Sequence, residues 1–424
     1  MNKYIELLKN NISRLKNVFL YFSASLIQGL ISLAINPLIA MNMSHYDYAL
    51  TGFYTSFNSL ILPLLNLMFG RYFNRNYFKL NSDIKRDELA AKLVSTRLIF
   101  NLFEIVFILM FFHMYAKIQN IEFPVYPYAI IDFSTVMFNN IYDFYLLKLK
   151  MGKKANSYFK TSLIYTALSS GLSLLLVAGF KLGGLGKLLA TLVTSVILFV
   201  YLLPKITKKI ILDKNIFIDA LKFCWPLILA SASGYFIRGF DRALLVNLND
   251  NVQLGLYNVA ISISGYLAIF QTSISNTFQP DIFEAVANNN KKKIIIITGG
   301  INLLNLIPII IFVAFAPLIT KILTAGRFTD AYTYARILAL SNVSMTLAYT
   351  SMTSIFIAKG YTFLSMSSEV IGAILSIVMF EIMINKYNFY GAAWGQVISY
   401  LLIFIIGMLS YFLYKKFFNK PIKG

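Results

Sequence analysis

The chain is built from apolar runs of about 20 residues, each long enough as a helix to cross the ~30 Å hydrocarbon core of a bilayer. Twelve are legible, at approximately residues 18–40, 48–69, 93–115, 125–147, 158–180, 184–203, 221–246, 253–279, 294–319, 334–358, 362–384 and 390–414. Backbone crossing hydrocarbon must satisfy its own hydrogen bonds, so segments of this length are helices. Connections are short. The longest obvious one, residues 70–92, leaves no room for an inserted soluble domain. With 58% hydrophobic and 13% charged residues, the chain is predicted to be an all-α integral membrane protein.

The formal charge of +20 would suggest a nucleic-acid partner in a soluble protein. Sorting the 38 Lys and Arg by loop removes that reading. One side of the membrane receives 28: the N-terminus, Arg71 to Lys92, Lys148 to Lys160, Lys205 to Lys222, Lys291 to Lys293, Lys359 and the C-terminal tail. The other side holds seven, and only Arg97, Arg238 and Arg242 lie within spans. The positive-inside rule then places both termini in the cytoplasm, and no nucleic-acid partner is expected. The basic loops would also attract anionic headgroups of membrane lipids. The single cysteine, Cys224, excludes an intrachain disulfide, and His45 and His113 are too isolated for a zinc site, so no cofactor or metal is expected.

Residues 1–17 place Ile5, Leu8, Ile12 and Leu15 on one helical face with lysines opposite, as in a cytoplasmic interfacial helix or a frayed tail. The run after Lys16 is span-length rather than the short core of a cleaved signal, so the first span is expected to stay.

Six spans return the chain to its starting side, so two six-span halves would share one orientation. Gly52-Phe53-Tyr54 and Gly255-Leu256-Tyr257 are offset by 203, and the segments beginning at Gly186 and Gly391 by 205. The reading is an internal duplication: a six-helix lobe at 18–204, a cytoplasmic linker at 205–220, a six-helix lobe at 221–414 and a cytoplasmic tail at 415–424.

Several motifs carry a family resemblance: Trp225-Pro226, Asp241-Arg242-Ala-Leu-Leu, Gly255-Leu-Tyr257-Asn-Val-Ala, Pro280-Asp281, Met151-Gly-Lys-Lys154 and Tyr390-Gly-Ala-Ala393. With these the whole chain resembles the polysaccharide or O-antigen flippases (Wzx-like) of the multidrug/oligosaccharidyl-lipid/polysaccharide (MOP) exporter superfamily. It departs from the pattern in the first span, since Val18 to Ser44 carries no charge where some of these flippases place a cavity arginine. The resemblance implies a MATE-like transporter fold of two lobes around a cavity that opens alternately to either side of a bacterial inner membrane. It implies a polyprenyl-diphosphate oligosaccharide, an O-antigen or lipopolysaccharide repeat unit, as substrate, and polysaccharide-assembly enzymes as partners. A diphosphate and several sugars cannot cross hydrocarbon unaided, because desolvating them is prohibitive.

Ionisable groups inside a membrane are functional candidates by default. Arg238 and Arg242 share a face of the seventh span with Asp241 alongside. Two guanidiniums there could clamp a diphosphate bidentately; the alternative is a cluster that fixes helix packing. At 1.5 Å per residue from Leu221 they stand roughly 25 and 30 Å in, so Arg242 could equally reach the headgroups. Glu104, seven residues from Arg97 on the third span, could load and release a proton, and Asp132, Asp143, Asp241 and Glu369 are further ion-coupling candidates. Asn258, Gln271, Ser275, Asn276 and Gln279 on the eighth span, and Asn139 and Asn140 on the fourth, could hold sugars or glue helices together. Pro37, Pro63, Pro226 and Pro308 lie inside spans, as kinks that bend between states or stay static.

A drug or cation antiporter of the same superfamily is the nearest alternative, although its cavity should be dominated by acids and aromatics. A membrane polysaccharide polymerase would need a sizeable external loop, and the external loops are short. No P-loop is present, so ATP does not drive the protein directly, and no enzymatic activity is expected. Lipid II flippases of the superfamily generally have fourteen spans, two more than are legible.

Overall fold

A computed structural model describes residues 20, 23, 26–77, 80–268, 270–271, 274, 278, 282, 285–286, 288–359 and 361–417. The expected interfacial helix at 1–17, Ser275, Asn276, Gln279, Pro280-Asp281 and the end of the tail lie outside these residues.

Among the described residues the protein is helical, and six helices are long and apolar enough to cross a membrane: Asp83–Ile118, Ala155–Gly179, Gly183–Ile206, Lys214–Arg238, Lys291–Leu323 and Phe363–Lys416. The other expected segments are helical where described, but shorter, interrupted or more polar. In chain order we name α1 (Leu26–Met41), α2 (His45–Ser56), α3 (Asn58–Asn66), α4 (Phe69–Tyr77), α5 (Asp83–Ile118), α6 (Tyr128–Met151), α7 (Ala155–Ser173, continued as a π-turn to Gly179), α8 (Gly183–Ile206) and α9 (Lys214–Ser233). After these come α10 (Tyr235–Arg238), α11 (Phe240–Leu245), α12 (Asn251–Gly265), α13 (Lys291–Leu323), α14 (Tyr332–Met345, continued as a π-turn to Thr353), α15 (Ser354–Ala358) and α16 (Thr362–Phe417). Pro63, Pro226 and Pro308 lie inside α3, α9 and α13.

The chain divides into two compact units, Met1–Asn42 with Ile61–Ile228, and Met43–Leu60 with Leu229–Gly424. In the first, Phe69, Phe73 and Tyr77 fall on one face of α4 by the i, i+4 spacing. They pack against Leu89, Leu93 and Val94 of α5, Phe144 of α6, Leu198 and Leu202 of α8 and Cys224 of α9. Lys92 of α5 pairs with Glu88 (2.8 Å) and with Asp213 (3.1 Å), and Lys148 of α6 with Asp87 (2.9 Å). Asp213 also caps the start of α9, accepting the amides of Asn215 and Ile216 at 3.1 Å each. In the second unit, Ile237, Ala348, Met352, Phe356, Tyr400 and Ile403 form a core between α10, the α14 π-turn, α15 and α16.

Two turns reverse the chain with almost no loop. Asn388 leaves helical geometry inside α16 (φ 49°, ψ −129°), and a Cβ on Gly391 would strike the carbonyl of Met383, so the segments on either side double back on each other. A Cβ on Gly186 of α8 would stand 2.9 Å from the carbonyl oxygen of Leu176 in the turn ending α7.

Large apolar side chains cover the outside of these helices. Leu102, Phe103, Val106, Phe107 and Phe111 of α5, and Ile295, Leu303, Ile307, Ile310 and Phe315 of α13, are exposed in continuous stripes. Surfaces of that extent are rare in water and natural against lipid tails.

Candidate transport site

The first unit contains two neighbouring cavities. The first opens where the chain breaks between α3 and α4. Leu67 and Met68 are both left-handed (φ 48° and 52°), a conformation that costs side-chain-bearing residues about 1–3 kcal/mol each and persists only where the surroundings enforce it. Asn66 Oδ1 accepts the amide of Met68 (2.8 Å), and the Cys224 thiol donates to the Met68 carbonyl (3.3 Å). The break turns Asn66, Arg71 and Asn74 toward one space of about 330 Å³, which Arg97 of α5 and Asn140, Asp143 and Lys150 of α6 complete.

Arg97 decides the character of this cavity. It is 2% exposed, and its Nε and Nη2 have no hydrogen-bond partner. Asp143 and Glu104 are its charged neighbours, yet neither comes within the 4 Å of a salt bridge. A buried guanidinium left this open is costly unless something else meets it. Asn140 Nδ2, also buried, is unpartnered as well. One carboxylate thus faces three cations, Arg71, Arg97 and Lys150, and the space suits an anion. One turn further along α5, Asn101 turns its amide nitrogen to Glu104 Oε2 (3.1 Å) and to the carbonyl of Leu65 (2.6 Å), fixing that carboxylate.

The second cavity, about 410 Å³, lies between α1, α6 and α7. Gln28 and Ser32 come from α1, Asn139, Tyr142 and Asp143 from α6, and Tyr165, Thr166, Ser169 and Ser170 from α7. Tyr142 and Tyr165 stack at 4.5 Å with their planes 20° apart. Asp143 lines both cavities.

In the second unit Arg238 is exposed, its guanidinium 5.4 Å from the centre of the Tyr349 ring, with Tyr400 and Glu369 also around it. Arg242 is differently placed. It donates to the carbonyls of Arg238 (2.7 Å) and Gly52 (3.3 Å), and its Nε lies 3.9 Å from Asp241. Asp241 is fully buried and accepts from the Tyr257 hydroxyl (2.6 Å). Arg242, Asp241 and Tyr257 therefore tie α11 to α2 and α12, the packing alternative left open by the sequence. Asn258 is also internal, 4% exposed and wedged between α12 and α2 against Gly52, with the Ala49 carbonyl 3.5 Å from its Nδ2. Gln271 donates to the Asn342 carbonyl (2.8 Å) and to Thr346 Oγ1 (3.0 Å), bridging to α14 and its π-turn. Asp132 is buried on α6 outside both cavities.

Of the predicted residues, Asn139 and Asp143 line cavities, Glu104 is a neighbour of Arg97, and Arg238 stands with Glu369. Sequence reasoning missed Arg71, Lys150, Asn66 and Asn74. The basic pair had been assigned to cytoplasmic loops by charge counting, which records depth along a span but not the reach of a side chain into a cavity. Among the described residues no three His, Cys, Asp or Glu side chains converge as a metal site.

The profile of the polysaccharide biosynthesis protein family matches residues 14–286. An uncharacterized membrane protein of Methanocaldococcus jannaschii, MJ1375, is 26% identical over 207 residues, 48% of this chain and 49% of that one, so the match spans about half of the relative's length. The fold is similar to an inward-facing multidrug resistance MATE family transporter of the MOP superfamily (TM-score 0.70, 15% identity, 94% of this chain and 99% of that one). It is similar also to the lipid II flippase MurJ in an inward closed conformation (0.64, 15%, 92% and 87%). A third likeness is to a MOP superfamily transporter from Pyrococcus furiosus (0.63, 14%, 96% and 96%).

Proposed function

Because the chain belongs to the polysaccharide biosynthesis protein family, we propose that it is a flippase that moves a polyprenyl-diphosphate-linked oligosaccharide from the cytoplasmic to the outer leaflet of the cell membrane by alternating access. The observation that carries this reading is Arg97, a buried guanidinium with two unspent nitrogens, facing a cavity that also holds Arg71 and Lys150. Bidentate donors in a low-dielectric wall are what a diphosphate requires when it leaves water. Arg238 of the second unit, its guanidinium set among Tyr349, Tyr400 and Glu369, is a further candidate for contact with the substrate.

The wider architecture belongs to the same proposal: twelve spans, a lobe at 18–204 and another at 221–414 arisen by duplication, and cytoplasmic termini. The paired glycines support the duplication. Gly186 and Gly391, 205 residues apart, each close a turn against a carbonyl eight to ten residues earlier. Gly52 and Gly255, 203 apart, lie on α2 and α12, each pressed against the other helix. Transport is ion-coupled, with Glu104, Asp143 and Glu369 beside the intramembrane arginines as the groups placed to exchange an ion, and assembly enzymes of the glycan supply and receive the substrate.

The test is translocation of a fluorescent polyprenyl-diphosphate sugar in proteoliposomes. Wild-type protein should carry it, while Arg97→Gln and Arg238→Ala should lose at least tenfold in rate. Efflux of cationic dyes with no lipid translocation would replace this reading with that of a drug antiporter.

A further inference from the structure

We infer that the second cavity of the first unit, between α1, α6 and α7, is a saccharide subsite that holds the sugar bonded directly to the diphosphate. The inference rests on the flippase reading and adds the part of the substrate that this cavity recognises.

Its lining is the first argument. Hydroxyls of Ser32, Thr166, Ser169 and Ser170 and the amides of Gln28 and Asn139 surround the space with one carboxylate, Asp143, and no Lys or Arg. A wall of this kind offers a phosphate no cation and one repelling carboxylate, and it is too polar for a lipid tail. It matches a ligand with many neutral donors and acceptors. The stacked rings of Tyr142 and Tyr165 add apolar surface with hydroxyls at the rim, the combination that fits a sugar ring, with C–H faces and an equatorial belt of hydroxyls. Asn139 Oδ1 makes no hydrogen bond within the protein, so one acceptor stands ready there.

Adjacency is the second argument. Consecutive residues of a helix point about 100° apart. Asn140 therefore lines the cationic cavity while Asn139 lines its neighbour, and Asp143, three and four residues on, stands at the edge of both faces. A diphosphate and the first sugar are joined by a single oxygen, so their subsites must share a wall. Asp143 is that wall. It repels a phosphate that strays from the arginines, and it accepts hydrogen bonds from sugar hydroxyls.

Full-length protein in lipid nanodiscs tests this with undecaprenyl diphosphate, bare or carrying glucose, galactose or N-acetylglucosamine. Wild type should bind at least one glycosylated member about tenfold more tightly than the bare compound, the worth of one or two net hydrogen bonds. Asn139→Leu, and separately Thr166→Val, should erase that excess and keep wild-type affinity for bare undecaprenyl diphosphate, which also reports that each variant is folded. The inference is overturned if no sugar improves binding in wild type, or if both variants retain the full excess. Failure of wild type to bind even the bare diphosphate, with Arg97 intact, would instead overturn the flippase reading.

Discussion

Replacing Gly255 by Ala should destabilise the protein even though alanine is the better helix former. Gly255 faces the backbone of His45, where α12 crosses α2. An added methyl would stand 2.9 Å from both the Cα and the carbonyl carbon of His45, and closer still to its oxygen. Ordinary contacts of this kind lie at 3.4–4 Å, so the two helices must part by half an ångström or more. No rotamer relieves a clash with backbone, which places the cost toward the upper part of the roughly 1–3 kcal/mol range for overpacking. Helix propensity returns about 1 kcal/mol. The net loss is about 1–2 kcal/mol, or a fall in Tm of about 2–8 °C for a unit of around 200 residues. Gly171 of α7 is the control, because nothing lies within 4 Å of the methyl that Ala would add there. Gly171→Ala should leave Tm unchanged or raise it. Thermal unfolding in detergent by intrinsic fluorescence reads both, and a Gly255→Ala protein as stable as Gly171→Ala would refute the close approach of α2 and α12.

Three further outcomes follow from the geometry. Cys224 is fully buried and bonded to the Met68 carbonyl, so a maleimide should label no thiol in the folded protein and one after denaturation in SDS. Gln271→Leu and Thr346→Val should show a coupling of about 0.6 kcal/mol, and no more than about 1.7, in a double-mutant cycle on unfolding, as found for hydrogen bonds within membranes; full additivity would refute the bridge. Asp213 is held below its ordinary range first by the Ile216 amide and next by Lys92, so its stabilisation is complete above the unfolded value of 3.8 and is lost as pH falls through the lower folded value. Asp213→Asn should flatten the decline of Tm between pH 5 and pH 3, and an unchanged slope would count against the Lys92 contact.

Much of this organisation could be read from residue order. Long apolar helices such as α5, α8 and α13 announce themselves because lipid leaves no other use for such runs, and the glycine pairs at 52/255 and 186/391 were visible because close backbone approach excludes other residues. The break between α3 and α4 was not legible. It falls on Leu67 and Met68, which carry no signal for left-handed geometry; the Asn66 side chain and the Cys224 thiol, 156 positions from Met68, brace them there. The cationic cavity was hidden for the same reason, since its members Arg71, Arg97 and Lys150 meet only once α4 is displaced from the line of α3. Asn258 and Gln271 illustrate the opposite limit. A polar residue in a span reads alike whether it faces a channel or a neighbouring helix, and only the Gly52 and Asn342 backbones decide it.

The break also has an electrostatic consequence. An unbroken span would carry its backbone dipole past this point without an end. By stopping α3 and starting α4 at Phe69, the chain sets the first turn of a new helix, with Gly70 and Arg71, at the wall of the cavity that holds Arg97. A helix start carries the equivalent of about half a positive charge. The carbonyl end of α3, at Asn66, lines the same cavity and offsets that charge in part, so the break gives this wall main-chain dipoles of both signs, which no change of pH can titrate.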